Sequence, residues 1–341
     1  FGSLFGFVGM LVAVPKASPV HGGKLKSFDA KAVQGMRGVK HVLRVDEETV
    51  AVVADTFWRA KTALEALPIE WDEGPNAAVT SETIAAKLRE GLSAETNFVG
   101  NRTGDAKAAL AKAARVIEAD YSYPYQNHAP MEVLSATVRW TPERCEMWGP
   151  TQVPAAALTT LSTAAGVPIE GCEIHPMRIG GSFGRRLQTD YIKMATLIAK
   201  QIPNTPVKMM WTREEDMAQG RFHPVTQCRL RAALDTDGNV EALHVRISGQ
   251  SIAAYAIPNL MTANGDPLVF QGLIPGGAEM AIGLVETLAD KVWNLGRRIV
   301  ETAAHTQDLG VAVRQTVGEE GVANVDAIAN SFGDTRFDDD E

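Results

Sequence analysis

The residues best placed to do chemistry are Gly180-Gly181-Ser182-Phe183-Gly184-Arg185-Arg186. They lie between an apolar run, Cys172–Ile179, and a stretch with helical spacing, Arg186–Gln201. Glycines lack a Cβ, so successive backbone amides can approach a ligand and point at it together. A helix start behind them would add partial positive charge. Two arginines in a first helical turn oppose the helix dipole, and a bound anion would offset that conflict. The pattern therefore favours a phosphate-like or oxyanionic ligand. A tight strand-to-helix turn with solvated arginines accounts for the same residues. The pattern is neither GxGxxG nor a Walker loop.

Two further clusters carry polar groups. Tyr125-Gln126-Asn127-His128-Ala129-Pro130-Met131-Glu132 is dense in hydrogen-bonding side chains, and Pro130 marks it as irregular. Satisfied core polar groups are the plainer reading of such residues. Trp211-Thr212-Arg213-Glu214-Glu215-Asp216, continuing to His223-Pro224, reads either as a charged loop after a strand or as a loop on the ligand side. No GxSxG elbow, HExxH or credible Cys–His pair is present, which weakens hydrolase and zinc readings. Cys145, Cys172 and Cys228 form no CxxC, so no cysteine-based zinc or iron–sulfur site is indicated, and all three read as buried free thiols.

The elements that must position these clusters follow from periodicity. Residues 1–74 read as β-α-β-β-α-β, with strands in Gly9–Val14, Val39–Val45, Thr49–Ala54 and Ile69–Trp71. Asp29 is placed to cap the first helix. Thr56 opens the second, with Trp58, Ala63 and Leu67 on one side and Pro68 ending it. Residues 75–104 are polar and linker-like apart from a helix near Ile84–Leu92. Asp105 caps a helix to Ala114. Val116–Tyr123, Ser135–Trp140, Glu146–Trp148 and Pro206–Trp211 read as strands, and Thr151–Ala165 as a helix stopped by Gly166 and Pro168. The β-α-β-α-β order there implies a partly parallel layered sheet. Residues 226–251 alternate around Asp235-Thr236-Asp237-Gly238, a hairpin that sets Cys228, Leu230 and Ala232 against Leu243, Val245 and Ile247. Ile282–Ala304 looks helical, and the acidic end reads as a frayed tail.

Composition excludes more than it asserts. At 341 residues, 45% hydrophobic and 22% charged, the chain is long enough for a sizeable core. A net charge of −8 argues against nucleic acid as a partner. No run is long and apolar enough to suggest a membrane span. Phe1 to Met10 lacks the marks of a signal peptide, and the absence of an initiator Met suggests an upstream piece.

Five segments in order resemble the molybdenum hydroxylases, the xanthine dehydrogenase/aldehyde oxidase family, and within it the isoquinoline 1-oxidoreductase large subunit. Residues 1–75, with His21-Gly22-Gly23-Lys24, Val50–Asp55 and Trp71–Pro75, resemble its hammerhead domain. Residues 115–283 resemble its first molybdopterin-binding domain, through Tyr125–Glu132, Met147–Gln152, Gly180–Arg186, Trp211–Asp216 and Asp235–Val240. Residues 76–114 link the two, and 284–341 form a helical, acidic tail of unassigned role. The implied fold is α+β, a hammerhead-like domain followed by a mixed-sheet domain.

The resemblance implies oxidative hydroxylation of an aldehyde or N-heterocycle with water as oxygen source, on molybdenum–molybdopterin, in the cytosine dinucleotide form in some members. It implies an iron–sulfur small subunit carrying [2Fe–2S] clusters, and a second molybdopterin domain on another piece of chain. By match, Gln126 is the glutamine facing an oxygen ligand of the metal. Gly181, Ser182, Phe183 and Gly184 are the loop against the cofactor, with Ser182 standing where glycine is common. Arg185 and Arg186 face cofactor phosphate or a domain interface. Glu319, in Val317-Gly318-Glu319-Glu320-Gly321, faintly matches the catalytic base, and a surface loop is the plainer reading. A non-catalytic cofactor-binding or assembly module and a generic phosphate binder stand as alternatives. The compartment, cytoplasmic or periplasmic, is left open.

Overall fold

The computed structural model describes residues 2–3, 5–95, 104–256, 258–261 and 266. Glu319 and the helix expected at 282–304 lie outside the described residues. In chain order the elements are β1 (Leu11–Ala17), β2 (Lys24–Phe28), α1 (Lys31–Gln34), β3 (Val39–Arg44), β4 (Thr49–Ala54), α2 (Phe57–Ala66) and β5 (Ile69–Asp72). Then come α3 (Ser81–Gly91), α4 (Ala106–Lys112), β6 (Arg115–Tyr123), β7 (Ser135–Trp140), β8 (Cys145–Gly149), α5 (Pro154–Ala165) and β9 (Cys172–Pro176). They end with α6 (Asp190–Lys200), β10 (Val207–Met210), α7 (Arg213–Ala218), β11 (Thr226–Leu234), β12 (Val240–Gly249) and α8 (Ile252–Ala256). The fold is mixed α+β. No helix of the described residues is long and apolar enough to cross a membrane.

The residues group into two compact units, 1–87 with 123–225, and 88–122 with 226 onward. The first is built on a seven-stranded mixed sheet of order β3-β4-β1-β10-β7-β8-β9. β1 pairs parallel to β10 and antiparallel to β4, and β8 pairs parallel to β9. Side chains alternate across a strand, so β4 serves two cores. Its Ala51 and Val53 join one cluster with Leu161, Tyr191 and Ile198 of α5 and α6. Its Val50, Val52 and Ala54 join another with Ala60, Ala63 and Leu64 of α2. This is why Thr49–Ala54 is almost uninterruptedly apolar and wholly buried. Thr56 caps α2 by accepting from the Arg59 N–H.

Three expectations need correction here. The order of the first 75 residues is β-β-α-β-β-α-β, because Lys24–Phe28 forms β2 against β5. Only Leu25 of that strand is buried, so it carries almost no apolar signal. Trp58 points outward, 71% exposed, and α2 buries Ala60, Ala63 and Leu64 instead. Of the cysteines, Cys145 alone is buried; Cys172 and Cys228 are half-buried, and all three are free. Burial pushes the Cys145 thiol up to about 12, which leaves it inert at neutral pH.

The second unit holds a three-stranded sheet of order β12-β11-β6. The hairpin register sets Cys228 opposite Ile247, Leu230 opposite Val245 and Ala232 opposite Leu243, as the alternation requires. At its turn the Asp235 carboxylate accepts from the N–H groups of Asp237 and Asn239, both at 2.8 Å.

Candidate functional site

The glycine loop leaves the edge strand β9 and is welded to the irregular segment between β6 and β7. Glu132 and Gly180 exchange hydrogen bonds: the Glu132 N–H donates to the Gly180 carbonyl at 2.9 Å, and the Gly180 N–H donates to Glu132 Oε2 at 3.0 Å. A Cβ on Gly180 would lie 2.7 Å from that of Glu132, and one on Gly181 would lie 3.3 Å from the Met131 nitrogen. Gly181 and Gly184 hold φ of +97° and +98°, and Phe183 between them is also left-handed at +55°. L side chains disfavour that region, so only glycine gives both the turn and the close approach. Phe183 is carried outward, 72% exposed.

Among the described residues, the N–H groups of Gly181, Ser182, Phe183 and Gly184 have no acceptor, whereas those of Gly180, Arg185 and Arg186 do. Backbone donors in folded proteins are nearly always paired with protein, water or ligand. Four consecutive donors without a protein acceptor are free for solvent or for an anionic ligand.

The underside of the loop is braced by two ion-paired arginines. Here the expected continuous helix Arg186–Gln201 is not found. A single 3₁₀ turn, Arg185–Leu187, is followed by extended Gln188, and α6 begins only at Asp190. The arginines are thus not in a helix N-terminal turn, and no helix-dipole conflict arises. They are 1% and 0% exposed and turn inward rather than toward a ligand. Arg185 makes a bidentate pair with Asp190 at 2.9 and 2.8 Å, its guanidinium 5.4 Å from the Trp211 ring centroid. Arg186 donates to the carbonyls of Glu132 at 2.9 Å and Gly181 at 3.2 Å, and reaches Val133. The Ser182 hydroxyl also turns into the protein, donating to Gln152 Oε1 and accepting the Arg186 N–H.

The facing segment is fixed from its other side by residues near α7. Arg213 donates to the Pro130 carbonyl at 2.6 Å and pairs with Asp216 at 2.7 Å. Asn127 Nδ2 donates to the carbonyls of Asp216 and Met217. The His223 N–H donates to the Gln126 carbonyl at 2.8 Å, while the Gln126 side chain is exposed and has no hydrogen-bond partner among the described residues. The His128 and His223 rings pack tilted at 32° with centroids 4.4 Å apart, and His128 Nε2 sits 3.6 Å from where a Cβ on Gly184 would lie. Burial, the His223 charge and the Arg185 charge together push His128 below the usual histidine range, so it is neutral at pH 7. The structure thus brings all three sequence clusters together within the first unit. The paired histidines escaped sequence reasoning, since nothing local links positions 128 and 223.

Residues 92–264, just over half of the chain, match the family described as the molybdopterin cofactor-binding domain. The chain belongs to the molybdenum hydroxylase family. The glycine loop lies inside the matched span of this molybdenum hydroxylase chain. Over 244 residues it is 28% identical to the membrane-bound aldehyde dehydrogenase [pyrroloquinoline-quinone] of Gluconacetobacter polyoxogenes, covering 69% of this chain and 31% of that protein. It is 28% identical over 267 residues to the isoquinoline 1-oxidoreductase subunit beta of Brevundimonas diminuta, covering 75% and 34%. Its fold is shared with quinoline 2-oxidoreductase from Pseudomonas putida 86, with a TM-score of 0.57 at 20% identity over 72% of this chain and 36% of that one. The chain spans about a third of the length of these relatives.

Proposed function

We propose that this chain forms one wall of the molybdopterin site of an enzyme that hydroxylates an aldehyde or an N-heterocycle with oxygen from water. The observation that supports it most directly is the run of four N–H groups at 181–184 with no acceptor among the described residues. An anionic cofactor bearing phosphate and oxygen groups fits that donor set. When bound, it supplies the two-electron oxidation of the substrate carbon.

This chain's own residues bind and orient. Gly181 to Gly184 donate to the cofactor's oxygens. Arg185 and Arg186 hold the loop's shape from beneath, while neutral His128 flanks Gly184. Gln126 offers its uncommitted carboxamide to an oxygen ligand. Residues 1–75 are the proposed counterpart of a hammerhead domain, Glu319 the proposed base, and the cytosine dinucleotide form the proposed cofactor variant. An iron–sulfur small subunit is the proposed electron-accepting partner, and a second molybdopterin domain completes the site. The printed names of the isoquinoline and aldehyde relatives support the substrate class.

The test compares two glycines with similar backbone strain in the assembled enzyme. Gly181 and Gly238 both have positive φ, and nothing lies within 4 Å of a Cβ on Gly238. Alanine at either position costs about 1–2 kcal/mol of backbone strain. Metal and pterin analysis should find cofactor content lowered at least about tenfold in Gly181→Ala and unchanged in Gly238→Ala. Equal molybdenum in both variants would refute the reading.

A further inference from the structure

A second constellation lies on the same large sheet, away from the glycine loop's hydrogen bonds. β8 and β9 pair in parallel, setting Glu146 beside Glu173 and Trp148 beside His175. Residues two apart on a strand share a face, so Glu146, Glu173 and His175 converge. One ligand atom from each lies within 4.8 Å of the others. His175 Nε2 is 3.8 Å from Glu146 Oε1 and 3.7 Å from Glu173 Oε1, too far for hydrogen bonds.

That nitrogen is shielded from solvent, on a side chain 35% exposed, and has no hydrogen-bond partner among the described residues, although it lies within 4 Å of both carboxylates. Its ring is clamped by Trp148, stacked at 4.8 Å and 7°, and Phe7 packs edge-on against that indole at 4.8 Å. Ions such as zinc bind histidine nitrogen and carboxylate oxygen at about 2.0–2.2 Å, so neighbouring ligands around a tetrahedral ion stand roughly 3.3–3.5 Å apart. The two histidine–carboxylate spacings need to contract by a few tenths of an ångström, and the carboxylate–carboxylate spacing, within 4.8 Å, by up to about 1.5 Å.

We propose that Glu146, Glu173 and His175 form a binding site for a divalent transition-metal ion of the zinc class, separate from the molybdopterin site. Three protein ligands leave further positions to water. Arg139 remains on Glu146 Oε2, its Nε at 3.0 Å, as the partner that orients a ligating carboxylate. Arg144 spans Glu146 Oε1 at 3.1 Å and Glu173 Oε2 at 2.7 Å, but is 58% exposed and can swing into solvent as the ion takes its place. Burial would push Glu146 up, but Arg139 and Arg144 outweigh it and hold the carboxylate below its usual range, so the ligand is ionised at neutral pH. The ion would pin β9, an edge strand, to β8, just upstream of the glycine loop.

The full chain, stripped with chelator, is titrated with Co²⁺ and then Zn²⁺. One equivalent of Co²⁺ should give the visible absorption of a four- or five-coordinate ion, displaced stoichiometrically by Zn²⁺. Glu173→Gln, isosteric at an exposed position, and His175→Ala should each weaken binding at least about tenfold. The exposed His21→Ala should leave it unchanged. No visible bands, or wild-type affinity in either site variant, overturns the proposal. Should the His175→Ala chain fail to fold, the affinity of Glu173→Gln decides by itself. None of these readouts depends on molybdopterin.

Discussion

Glu215 is ionisable yet sits at a place suited to a neutral group. It is 9% exposed on α7, and its Oε1 accepts the Ala17 N–H at 2.7 Å at the end of β1. Burial pushes its carboxyl up to about 7, against the Ala17 hydrogen bond and a weak pull from Lys16. The ordinary value is 4.5, so the folded state holds this proton more tightly than the unfolded chain does. Stability contributed here is complete below about pH 4.5 and falls as pH rises toward 7, where the folded state must carry a buried charge. A shift of about 2.5 units corresponds to roughly 3 kcal/mol. Glu215→Gln keeps the acceptor for Ala17 and cannot ionise. The variant should match the wild type near pH 4.5 and exceed it by up to about 3 kcal/mol at pH 8. That corresponds to a melting temperature higher by on the order of 5–10 °C for a unit of this size. Calorimetry of both proteins between pH 4.5 and 8 reads the difference, in which every other titrating group cancels. A gap that stays constant with pH would show that Glu215 does not titrate in this window.

Arg186→Met should destabilise the first unit by about 3–5 kcal/mol, because it removes the buried guanidinium that pairs with Glu132 and donates to the carbonyls of Gly181, Glu132 and Val133. Arg229→Met, which removes more exposed pairs with Asp120 and Glu118, should leave the denaturant midpoint nearly unchanged. His128 is held below the ordinary 6.5, so the unfolded chain takes up its proton first as pH falls. Its contribution is therefore present above about pH 6.5 and lost below it. His128→Gln should lose less stability than the wild type between pH 6.5 and 5, and identical acid profiles would contradict the neutral assignment.

Much of this was legible in the residues because local signals agreed with the tertiary context. The hairpin at 226–249 is the clearest case: alternation and the Asp235–Gly238 turn specify which faces meet, and the register follows. The glycine loop was also visible, since Gly181 and Gly184 sit where positive φ demands them. What failed is equally physical. β2 is Lys-Leu-Lys-Ser-Phe, and its pairing with β5 is a tertiary fact with one buried apolar residue to announce it. The break between Leu187 and Asp190 was hidden because apolar spacing continues through it, while the buried pairing of Arg185 with Asp190 holds the chain out of helix. The ring contact of His128 with His223 joins positions far apart in sequence, which no motif encodes.

The position of β1 has a consequence for biosynthesis. Its partner on one side, β4, emerges soon after it, but its partner on the other, β10, follows almost two hundred residues later. Until then the nascent strand carries a bare row of amides and carbonyls beside the apolar Leu11–Val14. Such an edge is a template for pairing with another polypeptide. Late closure across so long a loop also makes assembly slow. The strand order thus leaves this edge open through most of translation, ahead of any requirement for cofactor insertion.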